Sequence, residues 1–256
     1  MPHSRSWFSA NAVGKTVSLS EPMHTTWEIV AKINERVEQY SDTKQLSIAS
    51  AKFLVHYVNA PPDKGIAYMR VIKQIPSVLA EGTDDSSRAR EAKQFVPSEL
   101  NAYHALMRKH SHNTPHLFAW ETGEQKESGQ VPGGSITYIV FEKLPGIALG
   151  TEFKATAFWD QPPATRELIR RALFIEYNAA WNVGILPMVD GPRSAIWNES
   201  KQTIRFVGFR TPAFMDSPTQ VLDQQTVLEV FKVDDGQAPI DLVEEEEDES
   251  ELFTVL

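Results

Sequence analysis

At 256 residues and 41% hydrophobic content, the chain is long enough to bury a substantial core in one compact body. It contains no cysteine, which excludes a disulfide framework and any thiolate metal site. Its net charge of -9 argues against nucleic acid as a partner, because phosphate backbones need a concentrated basic surface.

Residues 1–20 hold no continuous apolar run ahead of a cleavage signal, and no stretch reaches membrane-spanning length. A cytoplasmic or nuclear protein with no membrane partner is therefore expected. Gly14-Lys15-Thr16 has the ending of a phosphate loop but lacks its first glycine and its strand-to-helix setting, so it is discarded. Strands are predicted at 27–37 and 50–60. The segment 38–49 between them has no glycine, and so no backbone suited to close approach to phosphates. The segment 65–76, GIAYMRVIKQIP, reads as a strand carrying Arg70 and Lys73. Side chains alternate along a strand, so only one of these two can face a given cleft. The charged stretch 82–93 reads as a loop and a helix start.

A helix is predicted over 97–110, with Leu100, Tyr103 and Leu106 on its buried face and Glu99 in its first turn, where the helix dipole favours a carboxylate. His110, His112 and His116 have no acidic partner in sequence and read as loop residues rather than metal ligands. A short strand follows at 117–120, then a polar connection at 121–129. An apolar strand at 135–141 runs into Glu142-Lys143-Leu144-Pro145-Gly146, where the proline stops the ladder and the glycine permits a sharp turn. Phe153, Phe158 and Trp159 are assigned mainly to packing, with some of them expected at the mouth of a cleft.

A long helix at 163–182 is expected to bury Leu168, Ala172, Ile175 and Ala179. It ends at Gly184, and a polar loop containing Asp190 in a Val-Asp-Gly-Pro turn leads to strands at 195–197 and 204–207. The sequon Asn198-Glu199-Ser200 is read as the turn between those strands. One more helix is predicted at 218–232. The acidic block at 244–251 should repel itself and stay solvated, with a short partner-docking motif as the alternative.

The order of these motifs, above all the strand ending in Glu142-Lys143-Leu144-Pro145-Gly146 and the stretch 181–212, resembles protein-kinase-like and aminoglycoside or choline phosphotransferase-like proteins of fungal type. The resemblance implies an α+β, two-lobed protein-kinase-like fold, with a small antiparallel-sheet lobe and a mainly helical large lobe truncated at the C-terminus. On this reading 1–26 is an N-terminal extension, 27–145 the small lobe with its hinge, 146–240 a reduced large lobe and 241–256 an acidic tail.

Matching Gly184-Ile185-Leu186, Ala195-Ile196-Trp197 and Phe209 to the family's landmarks places Pro187 at its His, Val189 at its catalytic Asp, Ser194 at its metal-binding Asn and Gly208 at its metal-binding Asp. Phosphoryl transfer needs those groups, so the resemblance implies a degenerate member with no catalytic residues, metal or cofactor. Asp190, one residue beyond the catalytic position, has the wrong spacing to replace it. Arg70 falls at the phosphate-binding lysine and Glu99 at its ion-pairing partner. The residual cleft is then expected to be bounded by Arg70 or Lys73, Glu99, Glu142, Asp190, Arg193, Ser194 and Arg210. Such a cleft is less acidic than that of an active family member, which suits an anionic or polar small ligand. The first functional reading is a non-catalytic binding, scaffold or regulatory module with a protein partner or small-molecule ligand. The second is a repurposed enzyme or accessory protein acting on a small molecule in fungal secondary metabolism, and the third is a true small-molecule phosphotransferase.

Overall fold

A computed structural model describes residues 6–9, 12–187, 191–215 and 221–234. The acidic tail, Val189, Asp190 and the first residues of the helix expected at 218–232 lie outside the described residues.

The first half of the chain builds one antiparallel sheet of six strands: β1 (Thr16–Leu19), β2 (Thr25–Glu38), β3 (Ile48–Tyr57), β4 (Ile66–Gln74), β5 (Leu117–Glu124) and β6 (Ser135–Glu142). Their spatial order is β1-β2-β3-β4-β6-β5. The sheet curls until its edges nearly meet: Glu21, just after β1, bridges to Trp120 on β5, and Ser20 donates from its amide and hydroxyl to Glu121. Curling consumes edge groups that would otherwise stay open to another chain. Two register shifts in the β2–β3 ladder, between Ile29 and Ala31 and between Lys32 and Asn34, provide local bending.

Alternation divides the sheet into two faces. One carries Ala49, Ala51, Phe53, Val55, Ala67, Met69 and Val71, all buried. Its alanines leave space that Trp7 and Phe8 occupy, with Phe8 edge-on to Phe53 at 6.1 Å between centroids. Burial of a side chain such as Phe8 is worth about 1.5–3 kcal/mol. The arm is also held by polar contacts, since the Trp7 amide donates to Glu35 at 2.6 Å and the Lys73 ammonium donates to the Trp7 carbonyl at 2.7 Å. The segment expected as an N-terminal extension is therefore integral: it supplies β1 and two core aromatics.

The opposite face packs on the helix α2 (Ser98–Arg108), which follows a short helix α1 (Asp85–Ala89). Leu100, Tyr103 and Leu106 are buried at its sheet-facing side, and Tyr103 stacks on Phe141 with ring centroids 5.4 Å apart. After β6 come β7 (Ile147–Ala148), α3 (Thr156–Trp159), α4 (Pro163–Val183), β8 (Ile185–Pro187), β9 (Ala195–Asn198), β10 (Thr203–Phe206), β11 (Pro212–Phe214) and α5 (Gln224–Val230). The strands form a three-stranded sheet, β10-β9-β7, and a two-stranded one, β11-β8.

This architecture corrects the expected fold. Among the described residues strand outweighs helix, 32% against 24%, and the dominant feature is the nearly closed six-stranded antiparallel sheet. A mainly helical large lobe is absent among the described residues. Among the described residues after β6, short strands are accompanied by the short helices α3 and α5, and α4 alone exceeds two turns. The sequence carries repeated turn signals between 184 and 212, and these break that region into hairpins instead of extending helices.

The long helix is also rotated from its predicted orientation. Ile169, Ala172, Leu173, Tyr177 and Ala180 are buried, whereas Leu168 is 41% and Ile175 53% exposed, and Ala179 faces outward. A stripe displaced by one residue turns the helix by about 100°, and the rings of Phe206 and Phe231 select the stripe that contains Tyr177. Among the described residues no helix is long and apolar enough to cross a membrane.

Candidate functional site

A cavity of about 460 Å³ lies between the outer face of the six-stranded sheet and the hairpins that follow. Its roof is set by strand register. Asn34, Lys52, Arg70 and Ile139 are successive cross-strand partners on β2, β3, β4 and β6, and so share one face. Arg36 and Tyr68 lie two residues from Asn34 and Arg70 and join that face. Its side wall is Glu99 and Tyr103 of α2, with Phe141 and Glu142 at the end of β6. Its floor comes from Arg193 and Ser194 in a 3-10 turn, Ile196 of β9, and Val207, Gly208, Arg210 and Thr211 before β11.

Gly146 fixes how the chain passes from the sheet to this floor. Its φ is 120°, and a Cβ there would lie 2.1 Å from the Trp197 carbonyl oxygen. The crossing thus needs both a left-handed backbone and no side chain. It is followed by β7, which pairs with β9 through Ile147 and Trp197.

The structure brings together Arg70, Glu99, Glu142, Arg193, Ser194 and Arg210 from the predicted set. Glu99 is 2% exposed and its Oε2 lies 2.7 Å from Arg70 Nε, an ionic contact without hydrogen-bond alignment. Lys73 does not belong to the cleft: it points to the other face, with its ammonium 4.7 Å from the Phe8 ring centre. Phe153 is 70% exposed, Phe158 is buried, and neither they nor Trp159 line the cavity.

Several groups are already committed. Glu142 accepts a two-pronged interaction from Arg205, with both N–O distances 2.7 Å, and a third hydrogen bond from the His116 amide at 3.2 Å. Burial alone would raise its pKa, but the Arg205 hydrogen bonds and the His116 amide hold it below the usual carboxylate value. This clamp joins β6 to the β9–β10 hairpin. Arg193 pairs with Glu152 at 3.0 Å. Ser194 is buried and donates from its hydroxyl to the Gly191 carbonyl at 2.8 Å, which closes its own turn. The predicted turn at 198–201 is present, with Asn198 Oδ1 accepting from the Ser200 hydroxyl and the Lys201 amide.

Besides the exposed Lys143, four cations line the cavity: Arg36, itself exposed, and Lys52, Arg70 and Arg210. Lys52 and Arg70 are directly opposed across the β3–β4 ladder, an arrangement of like charges that destabilises a sheet. Lys52 rests on the Tyr68 ring at 4.6 Å. Burial, followed by repulsion from Arg70, pushes its ammonium below the ordinary lysine value, and Glu99 opposes that in part. Burial likewise lowers the pKa of the Arg210 guanidinium; Arg36 and Arg70 add to the effect, while Glu38 and Glu99 oppose it. Burial and Glu99 push the Tyr103 hydroxyl well up, so it presents a neutral O–H.

Lys52, Arg36, Tyr68 and Lys143 were not singled out from the sequence. Lys52 had a visible signal, a charge within the apolar strand SAKFLVHY, but its convergence on Arg70 depends on cross-strand register. Among the described residues, no three His, Asp or Glu side chains gather as a metal-ligand set. No family model matches the chain, and no curated protein matches it, so the reading of the site rests on its own chemistry.

Proposed function

We propose that the chain is a binding module that receives a small anionic molecule in the cleft between the six-stranded sheet and the β9–β10 region, and that it carries out no phosphoryl transfer. The observation that carries this reading is the convergence of Arg36, Lys52, Arg70 and Arg210 around one buried carboxylate, Glu99. Excess like charge in a partly buried site is unfavourable without a counter-charge, and a bound anion supplies one. Pro187, Ser194 and Gly208 carry no carboxylate, so none of them can act as a carboxylate general base or hold a metal with carboxylate oxygens.

The test is ligand-induced thermal stabilisation of the parent and of a Lys52→Met/Arg210→Gln variant, neither residue being part of an ion pair among the described residues. A ligand at about a hundred times its Kd stabilises the native state by about 2.7 kcal/mol. In a protein of this size that moves Tm by about 5–10 °C. The parent should respond to small organic anions and the folded variant should not. Equal responses in the two proteins would place anion binding elsewhere and overturn the proposal.

A further inference from the structure

We infer that the ligand of this cleft is a multivalent oxyanion, bearing at least two negative charges on phosphoryl or carboxyl groups, and that the site takes it free of any divalent metal. This rests on the anion-binding reading above and specifies its ligand.

The charge required follows from the groups that face one another. Arg36, Lys52, Arg70 and Arg210 act on a shared region, and the carboxylates opposing them are buried Glu99 and exposed Glu38. Two positive charges are left over, or three with the exposed Lys143 that also lines the cavity. The other carboxylate in the wall, Glu142, is neutralised by its two-pronged bond to Arg205, and Arg193 is matched by Glu152. A ligand with one negative charge would leave the cleft net positive, whereas one with two or more balances it.

The donors suit oxyanions. Guanidinium groups approach from the roof through Arg70 and from the floor through Arg210, and each presents a planar fork of N–H donors that matches phosphoryl or carboxyl oxygens. Lys52 adds a point charge between them. Arg70 contacts Glu99 through its Nε, makes no hydrogen bond among the described residues, and lines the cavity. At about 460 Å³ the cavity has room for more than an inorganic ion, and Tyr68 and Phe141 offer ring surface to the rest of the molecule.

Metal independence follows from the same charges. A divalent cation carried in with the ligand would meet four cations and no uncommitted buried carboxylate, and would cancel the ligand charge that the site reads. Magnesium should therefore compete with the protein for the ligand rather than bridge the two.

Isothermal titration calorimetry at constant ionic strength, with pyrophosphate, citrate and acetate as probes, decides the matter. Pyrophosphate or citrate should bind at least about tenfold more tightly than acetate, a difference of one tenfold step in Kd. The stronger of the two assigns the natural ligand to the phosphoryl or carboxyl class. Excess magnesium should weaken the binding, and the Lys52→Met/Arg210→Gln variant should lose it. Acetate binding as tightly as both multivalent probes, or magnesium strengthening the interaction, would overturn this inference while leaving the anion site standing. Absence of binding by all three probes, or identical binding by the variant, would remove the anion site as well.

Discussion

Glu99 is the residue on which the cleft's electrostatics depend, and replacing it by glutamine tests that directly. Glu99 is 2% exposed and contacts Arg70, itself 14% exposed. Removing one member of a buried pair strands the other, which costs about 3–5 kcal/mol. The lower end, about 3 kcal/mol, applies here because Arg70 borders an open cavity into which its charge is partly solvated. In a chain of this size that loss lowers Tm by about 6–12 °C. A second consequence is specific to this site. Without Glu99, and with Glu142 committed to Arg205, exposed Glu38 is the carboxylate among the described residues that still opposes the charge of Arg210. Part of the deficit should therefore be recovered when ionic strength rises from about 0.05 M to about 0.5 M, since screening acts on the repulsion that reaches solvent. Urea unfolding followed by circular dichroism reads both effects. The paired change Arg70→Met/Glu99→Leu should be far milder, because an apolar pair of similar volume carries no stranded charge. A Glu99→Gln protein within about 1 kcal/mol of the parent, with no added salt dependence, would show that the Arg70–Glu99 contact is not energetically coupled to the cleft.

Two further outcomes follow from the geometry. Gly146→Ala should destabilise the fold by about 2 kcal/mol or more, because its positive φ is strained for alanine and the new Cβ meets the Trp197 carbonyl at 2.1 Å; a loss below about 0.5 kcal/mol in urea unfolding would contradict this. Glu142→Gln should lower stability at neutral pH and matter less in acid. The folded-state pKa of Glu142 is depressed, so its contribution is present above its unfolded value of 4.5 and is lost as pH falls through the lower folded value. The difference between parent and variant should shrink steadily below pH 4.5, and a difference independent of pH would show that the Arg205 clamp does not act through the Glu142 charge.

Much of the local structure was legible in residue order because it rests on short-range physics. Apolar runs marked β3, β4 and β6, the face Leu100, Tyr103 and Leu106 marked α2, Gly184 marked the end of α4, and Asn198 marked a turn that its own side chain closes. The opposition of Arg70 and Lys73 followed from strand alternation alone. What depended on long-range packing was not legible there. Periodicity permits two neighbouring stripes on α4, and only the Phe206 and Phe231 rings select the one through Tyr177. The architecture was misjudged for the same reason: curling of the first sheet and the pairing of β7 with β9 join segments tens of residues apart, and no local pattern specifies such a partner. The cleft itself divides along this line. The sequence determined that cations occupy positions 36, 52, 70 and 210, but two register shifts in the β2–β3 ladder and the turn at Gly146 decided that they face one another, because strand register and chain crossing determine which side chains share a space.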